Sequence, residues 1–225
     1  MDDKRRLILD QALALVDERG LGAMSMRAVA ERVGLTSMAL YPYVGGKDAL
    51  LDGLVDLLHL ELGDRYGTDP ADIDWRDRLR ALGRAVRALS RRHPGAYPLL
   101  LNRPSPGGSW LTAALRATLH DAGVPAAHVP RLTRMICAFL LGYTTGEVTG
   151  GLPEGNDPTA PQAGPPRASQ PQAGPPEADA LQASTPGASP DPANPAEGDE
   201  QAARAEFDAD LEDLVRLVEV TVRVV

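Results

Sequence analysis

S25-M-R-A-V-A-E-R-V-G-L-T-S-M-A-L-Y-P-Y-V-G-G-K47 is the stretch on which the reading of this chain turns. Ser25 is placed to cap a helix, because a serine oxygen accepts from an unpaired N–H of the first turn. Ala28, Val29 and Val33 then recur at helical spacing, and Ala30 leaves room for a close neighbour. Gly34 follows, the residue type that takes the positive φ needed to leave a helix. Thr36 or Ser37 caps a second short helix reaching about Tyr43, and Gly45-Gly46 ends it. A helix, a tight turn around glycine and a second short helix form the helix-turn-helix pattern, whose second helix suits a DNA major groove.

Outward from this stretch the chain reads as all-α. A first helix is expected over residues 4–19, with Ile8, Ala12, Leu15 and Val16 on one face. Lys4, Arg5 and Arg6 at its start are either a solvated end or phosphate contacts beside the reading helix. Residues 47–65 carry leucines on more than one face, as a helix buried between two bodies would. Asp74 caps a helix over 75–92 whose arginines are expected in solvent, and shorter helices are expected at 96–101 and 110–122. A long helix is expected from Pro125 to Thr149. In it Gly142, Gly146 and Gly150 repeat every four residues: either a face for close backbone approach or a fraying end.

From residue 151 to about 199 large apolar residues nearly vanish, and P-Q-A-G-P-P occurs at 161–166 and again at 171–176. Such a segment buries too little apolar surface to offset the entropy of ordering, and is expected to be a disordered linker. A final helix is expected from about residue 202, with Phe207, Leu211, Leu214, Val215, Val218 and Val222 as one stripe. The organisation expected is therefore a DNA-binding domain at 1–46, a connecting helix at 47–66, a regulatory and dimerisation domain at 67–150, the linker at 151–199, and a dimerisation helix at 200–225.

Composition narrows the classes. The 225 residues are 43% hydrophobic and only 4% aromatic, which favours helix over sheet. The single cysteine, Cys137, excludes an internal disulfide and a cysteine-based zinc site and fits a reducing cytoplasm. No signal-peptide pattern and no run of about 18 apolar residues is read, so no membrane partner is expected. The formal net charge of −8 counts mildly against DNA binding, but the objection is weak because charge on the facing surface is what matters. No nucleophile elbow, zinc-helix motif or phosphate loop is found, so no enzyme is expected. Cys137 lies mid-helix among apolar residues, as an inert thiol would.

The stretch L40-Y-P-Y-V-G-G-K-D-A-L-L51, following the turn, resembles the DNA-binding domain of the TetR family of transcriptional regulators. The likeness covers about residues 5–60. More distantly, H-P-G-A at 93–96, Arg103-Pro104, F-L-L-G at 139–142 and the final F-x-x-x-L-x-x-L-V helix are similar to the regulatory domain of tetracycline repressors. This resemblance implies a homodimer in which the helix ending near Thr149 and the last helix pair with their symmetry mates. It also implies operator DNA as a partner and release by a small-molecule effector. Activation in place of repression, and a ligand-binding or scaffold protein with a non-functional DNA domain, stay open as alternatives.

The resemblance makes Arg27 the candidate base contact, since arginine can bond guanine O6 and N7 together; the alternative is a solvated helix residue. Thr36, Ser37, Met38, Ala39, Tyr41, Pro42, Tyr43 and Lys47 are the remaining candidate DNA contacts, with Leu40 and Val44 turned to the core. Candidate ligand contacts are Leu99, Leu100, Arg103, Trp110, Met135, Phe139 and Tyr143; Arg103 would meet an anionic or carbonyl group, and the few polar residues point to a largely apolar ligand. The histidine and glutamate that help hold drug-bound Mg2+ in tetracycline repressors fall at Leu99 and Gly146 here, with Glu147 adjacent. No tetracycline–Mg2+ chemistry, metal or cofactor is therefore expected. His93, His120 and His128 are read as surface or capping residues.

Overall fold

The computed structural model describes residues 3–66, 73–103, 109–149 and 195–223. Among them every regular element is helical. In chain order these are α1 (Asp3–Arg19), a single 3-10 turn (Leu21–Ala23), α2 (Met26–Arg32), α3 (Ser37–Val44), α4 (Lys47–Tyr66) and α5 (Trp75–Arg92). After them come α6 (Leu99–Asn102), α7 (Trp110–Asp121), α8 (Val129–Thr149) and α9 (Pro195–Arg223). Residues 1–152 and 205–225 make one compact unit, and residues 153–204 a second in which α9 begins. The expected loop at 67–70, most of the loop at 103–108, Gly150 and the repeats at 161–176 lie outside the described residues.

Two groups of helices share one continuous apolar core. Ile8, Leu9, Ala12 and Val16 of α1 meet Val29 and Ala30 of α2, Leu40 and Val44 of α3, and Leu50 and Leu54 of α4. Leu58 and Leu62 of α4 continue this core toward Leu79, Leu82, Val86 and Leu89 of α5 and Leu111, Leu115 and Leu119 of α7. α4 is therefore buried on more than one face, with Leu60 left exposed, because α1 and α3 lie on one side of it and α5, α6 and α7 on the other. Two glycines set the close approaches. A Cβ on Gly53 would come within 2.6 Å of Leu9, and one on Gly83 within 2.3 Å of Leu211. Small residues there let α1 pack on α4 and α9 on α5.

Three expectations are corrected by local physics. The long helix starts at Val129, not Pro125: His128 and Val129 donate to the Pro125 carbonyl in a turn. A helix begun at Pro125 would carry Pro130 in its second turn, where its ring meets the carbonyl four residues back and no N–H is available; from Val129 it falls in the tolerant first turn. The helix expected at 96–101 is confined to Leu99–Asn102, because residues 93–98 run as turns, with Ala96 and Tyr97 donating to the His93 carbonyl. The arginines of α5 do not all stand in solvent. Arg76 donates to Glu219 at 2.6 Å, Arg80 to both oxygens of Glu212 at 2.6 and 2.8 Å, and Arg84 to Asp208 at 2.9 Å. These pairs form a ladder along which α9 lies on α5. The bidentate Glu212 pair holds the Arg80 guanidinium firmly charged despite partial burial.

Candidate nucleic-acid interface

The reading surface is built by caps and one turn. Ser25 Oγ accepts from the Ala28 N–H at 3.1 Å, and Thr36 Oγ1 from the Ala39 N–H at 3.3 Å, so each short helix starts on a side-chain cap. Between them Gly34 takes φ +69° and Leu35 donates to the Ala30 carbonyl at 2.9 Å, closing α2. Gly45, at φ +73°, closes α3 by donating to Tyr41. Leu40 and Val44 are buried. The other side of α3 faces out: Met38 is 77% exposed, Tyr41 46%, and Pro42 and Thr36 are exposed as well. Ser37, Ala39 and Tyr43 are half-buried along its edges. Pro42 removes the amide that would have bonded the Met38 carbonyl, which suits an outward-facing position.

Cations surround this surface. Lys47 is exposed at the start of α4, and the Lys4 Nζ lies 5.2 Å from the centre of the Tyr43 ring, which places the basic start of α1 beside α3. Arg27, with an 85% exposed side chain, donates through Nε to Glu31 at 2.9 Å. That pair is in solvent, where ion pairs are weak and screened, so the guanidinium can be recruited by a better acceptor. Arg32 is committed elsewhere: it pairs with Glu18 and donates to Gln11, tying α2 to α1.

The seven ligand candidates are not gathered in one place. Phe139 and Tyr143 stack with ring centres 5.6 Å apart, and Tyr143 meets Phe207 of α9 at 5.2 Å. Trp110 packs edge-on to Tyr66 at 5.3 Å. Leu99 is buried, Leu100 half-buried, and Met135 44% exposed. Arg103, expected to meet a ligand, instead reaches α4, at 2.9 Å from Asp52 and 3.3 Å from Asp48. Glu147 is held by α5, the buried Arg87 donating to both its oxygens and Arg91 lying 3.5 Å away. A groove of about 590 Å³ lies away from this set, walled by α1, α4 and the end of α5 through Arg6, Leu13, Asp17, Glu61 and His93 among others.

His93 is the residue that sequence reasoning misplaced. It is the C-cap of α5, its backbone N–H donating to the Leu89 carbonyl at 3.0 Å, but it is not a surface residue: its side chain is 11% exposed and bonds Asp17 of α1 through Nδ1 at 2.6 Å and Glu61 of α4 through Nε2 at 2.9 Å. The signals in the sequence were its place before Pro94-Gly95, the break after α5, and the H-P-G-A likeness at 93–96, and neither points to Asp17 or Glu61.

This is a helix-turn-helix protein whose small N-terminal head is joined by α4 to a larger helical body. Residues 8–54 match the family described as bacterial regulatory proteins, tetR family, and residues 79–163 the tetracyclin repressor-like C-terminal domain. The chain belongs to the TetR family. It is 38% identical over 105 residues to the HTH-type transcriptional repressor DrrR1 of Streptomyces coeruleorubidus, covering 45% of this chain and 37% of that protein. A possible TetR family regulator from Streptomyces coelicolor A3(2) is 28% identical with a TM-score of 0.58, over 68% of this chain and 76% of that one. The structure of BioQ with its double-stranded DNA operator is 25% identical with a TM-score of 0.57, over 64% and 87%. The chain spans 37 to 57% of the length of the first curated relatives it matches.

Proposed function

We propose that the chain is a dimeric transcriptional repressor that binds operator DNA and leaves it when a small, largely apolar molecule binds. The observation that carries this reading is the outward face of α3. Met38, Tyr41 and Pro42 are exposed on a helix whose opposite side, Leu40 and Val44, locks into a three-helix core. Family membership supports it, as do the operator complex of BioQ and the repressor name of DrrR1. The same membership sets an enzymatic role aside.

In this reading Arg27 contacts a base, Thr36 and Ser37 bond phosphates or bases, and Met38 and Ala39 meet thymine methyls. Tyr41, Pro42 and Tyr43 line the backbone, and Lys47 meets a phosphate at the start of α4. Residues 1–46 form the head, 47–66 the connector, 67–150 the regulatory domain, 151–199 a linker and 200–225 a dimerisation helix. Dimerisation through α8 and α9 is supported by Leu217 and Val220, exposed on α9, and by the open space beside Gly142 on α8. Two heads about 34–36 Å apart then read half-sites one helical turn apart. The effector reading rests on the apolar side chains of α6, α7 and α8, with Phe139 and Tyr143 nearest α9 and Met135 outside the cluster. Arg103 serves it indirectly, linking α6 to α4 through Asp48 and Asp52. The chain works in the cytoplasm in this reading; among the described residues no helix is long and apolar enough to cross a membrane.

Electrophoretic retardation of double-stranded DNA taken from upstream of the chain's own gene tests it. The reading expects a shifted band at low salt that weakens steeply as salt rises. A folded dimer that shifts no band at low salt would defeat it.

A further inference from the structure

The junction between head and body holds one buried histidine with a carboxylate at each ring nitrogen. His93 sits in the turn after α5, Asp17 in the last turns of α1, and Glu61 in α4. Asp17 also accepts from the Ala96 N–H at 3.2 Å through its other oxygen. The backbone approaches as closely as it can here: a Cβ on Gly95 would lie 2.3 Å from the Val16 carbonyl oxygen. Three elements are thus bound at one point by one ring.

We propose that His93, Asp17 and Glu61 form a proton-operated latch that ties the DNA-binding head to the regulatory body, so that DNA binding responds to pH. The argument is geometric. A neutral imidazole has one N–H and one bare lone pair. With carboxylate oxygens at 2.6 and 2.9 Å from the two nitrogens, the neutral ring must turn its lone pair on one of them. The imidazolium donates to both, and the charge-assisted bonds are the stronger kind.

The surroundings carry other charges. From α4, Arg65 donates to Glu61 at 3.0 Å and Asp64 lines the same groove; from α5, Arg92 lies 3.3 Å from Glu61; from α1, Arg6 and Asp10 pair with each other. The arginines draw charge from Glu61, while Asp17 faces His93 and the Ala96 amide. Burial disfavours the charged ring, but the hydrogen bonds and charges of Asp17 and Glu61 outweigh it and raise the group above its ordinary value. A raised value makes the latch strongest in acid: its contribution is complete below the unfolded histidine value, about 6.5, and is lost as pH rises through the folded one. His59, His120 and His128 lie outside the groove's lining.

The decisive experiment follows the His93 Cε1–H resonance of the full chain, assigned by sequential correlation, against pH. The midpoint is expected above the ordinary value, and Asp17→Asn and Glu61→Gln are each expected to lower it. A midpoint at or below the ordinary value, or one unmoved in both variants, overturns the latch. The regulatory half rests on the DNA-binding reading and has its own arm. Retardation of the upstream DNA is measured at pH 6 and pH 8.5 for the wild type, His93→Gln and Asp17→Asn. The ratio of the two half-saturation points is expected to collapse toward that of a histidine-independent background in both variants, and an unchanged ratio overturns regulation by the latch. If no DNA is bound at either pH the repressor reading fails, and the resonance still decides whether the latch exists.

Discussion

Gly95→Ala is the sharpest single test of how head and body are joined. The added carbon would sit 2.3 Å from the Val16 carbonyl oxygen, 2.9 Å from its carbonyl carbon and 3.0 Å from the Asp17 Cα. All three are backbone atoms, so no side chain can swing aside. The last turn of α1 must retreat from the turn after α5, and the Ala96 N–H to Asp17 bond at 3.2 Å stretches with it. Overpacking of this kind costs about 1–3 kcal/mol. Weakening a hydrogen bond to a carboxylate adds about 1 kcal/mol more. The expected loss is therefore about 2–4 kcal/mol, or roughly 4–16 °C in Tm for a chain of this size. Calorimetry or circular dichroism of the full chain reads it directly. Gly22→Ala is the control, because a Cβ there meets nothing within 4 Å, and its change should stay within about 0.5 kcal/mol. A Gly95→Ala protein as stable as the control would refute the reasoning, since the close approach would then not be a fixed part of the fold.

Other outcomes are expected from the same geometry. Arg27→Ala should lower discrimination between operator and random DNA by roughly 5- to 150-fold in a competition assay; an equal loss on both DNAs would make Arg27 a phosphate contact. Leu40→Ala, at a fully buried site in the head, should cost about 2–5 kcal/mol in urea unfolding and abolish retardation of DNA with it. Burial pushes the Cys137 thiol up to about 11, so at pH 8 it stays protonated; a disulfide reagent should label it slowly in the native chain and at once in urea. Arg87→Met removes the two-oxygen partner of Glu147 and leaves it to the exposed Arg91 at 3.5 Å, so it should cost about 1–3 kcal/mol, with Glu147→Gln restoring part of it.

The head was legible because its signals are local. Ser25, Gly34, Thr36 and Gly45 each fix a cap or a turn within a few residues, and all four do in the structure what their chemistry suggests. The leucines of α4 were legible for the same reason, since burial on more than one face of a helix shows in its own sequence. The body was harder. Arg76, Arg80 and Arg84 recur every four residues on α5, and so does any solvated face. Their partners Glu219, Glu212 and Asp208 lie more than a hundred residues away, and the local pairs Arg76–Asp74 and Arg80–Asp77 give no sign of them. Arg103 and His93 were misread in the same way: both reach backward across the chain to carboxylates on helices that precede them.

These long-range pairs have a direction that bears on signalling. Arg103 leaves α6 for Asp48 and Asp52 in the first turns of α4, next to Lys47 and the end of α3. His93 and Arg92 hold Glu61, near the other end of the same helix. α4 is thus gripped at both ends by the segment running from the end of α5 through α6. A shift of that segment cannot pass α4 unnoticed, because salt-bridged and close-packed contacts hold discrete arrangements and do not deform smoothly. In the proposed dimer a molecule bound among α6, α7 and α8 could change the spacing of the two heads only if its affinity differs between two positions of α4. Arg103→Gln releases the grip nearest the DNA while leaving the apolar cluster intact. It should weaken the mutual effect of effector and operator on each other's binding more than it weakens either binding alone, since coupling between two sites is reciprocal.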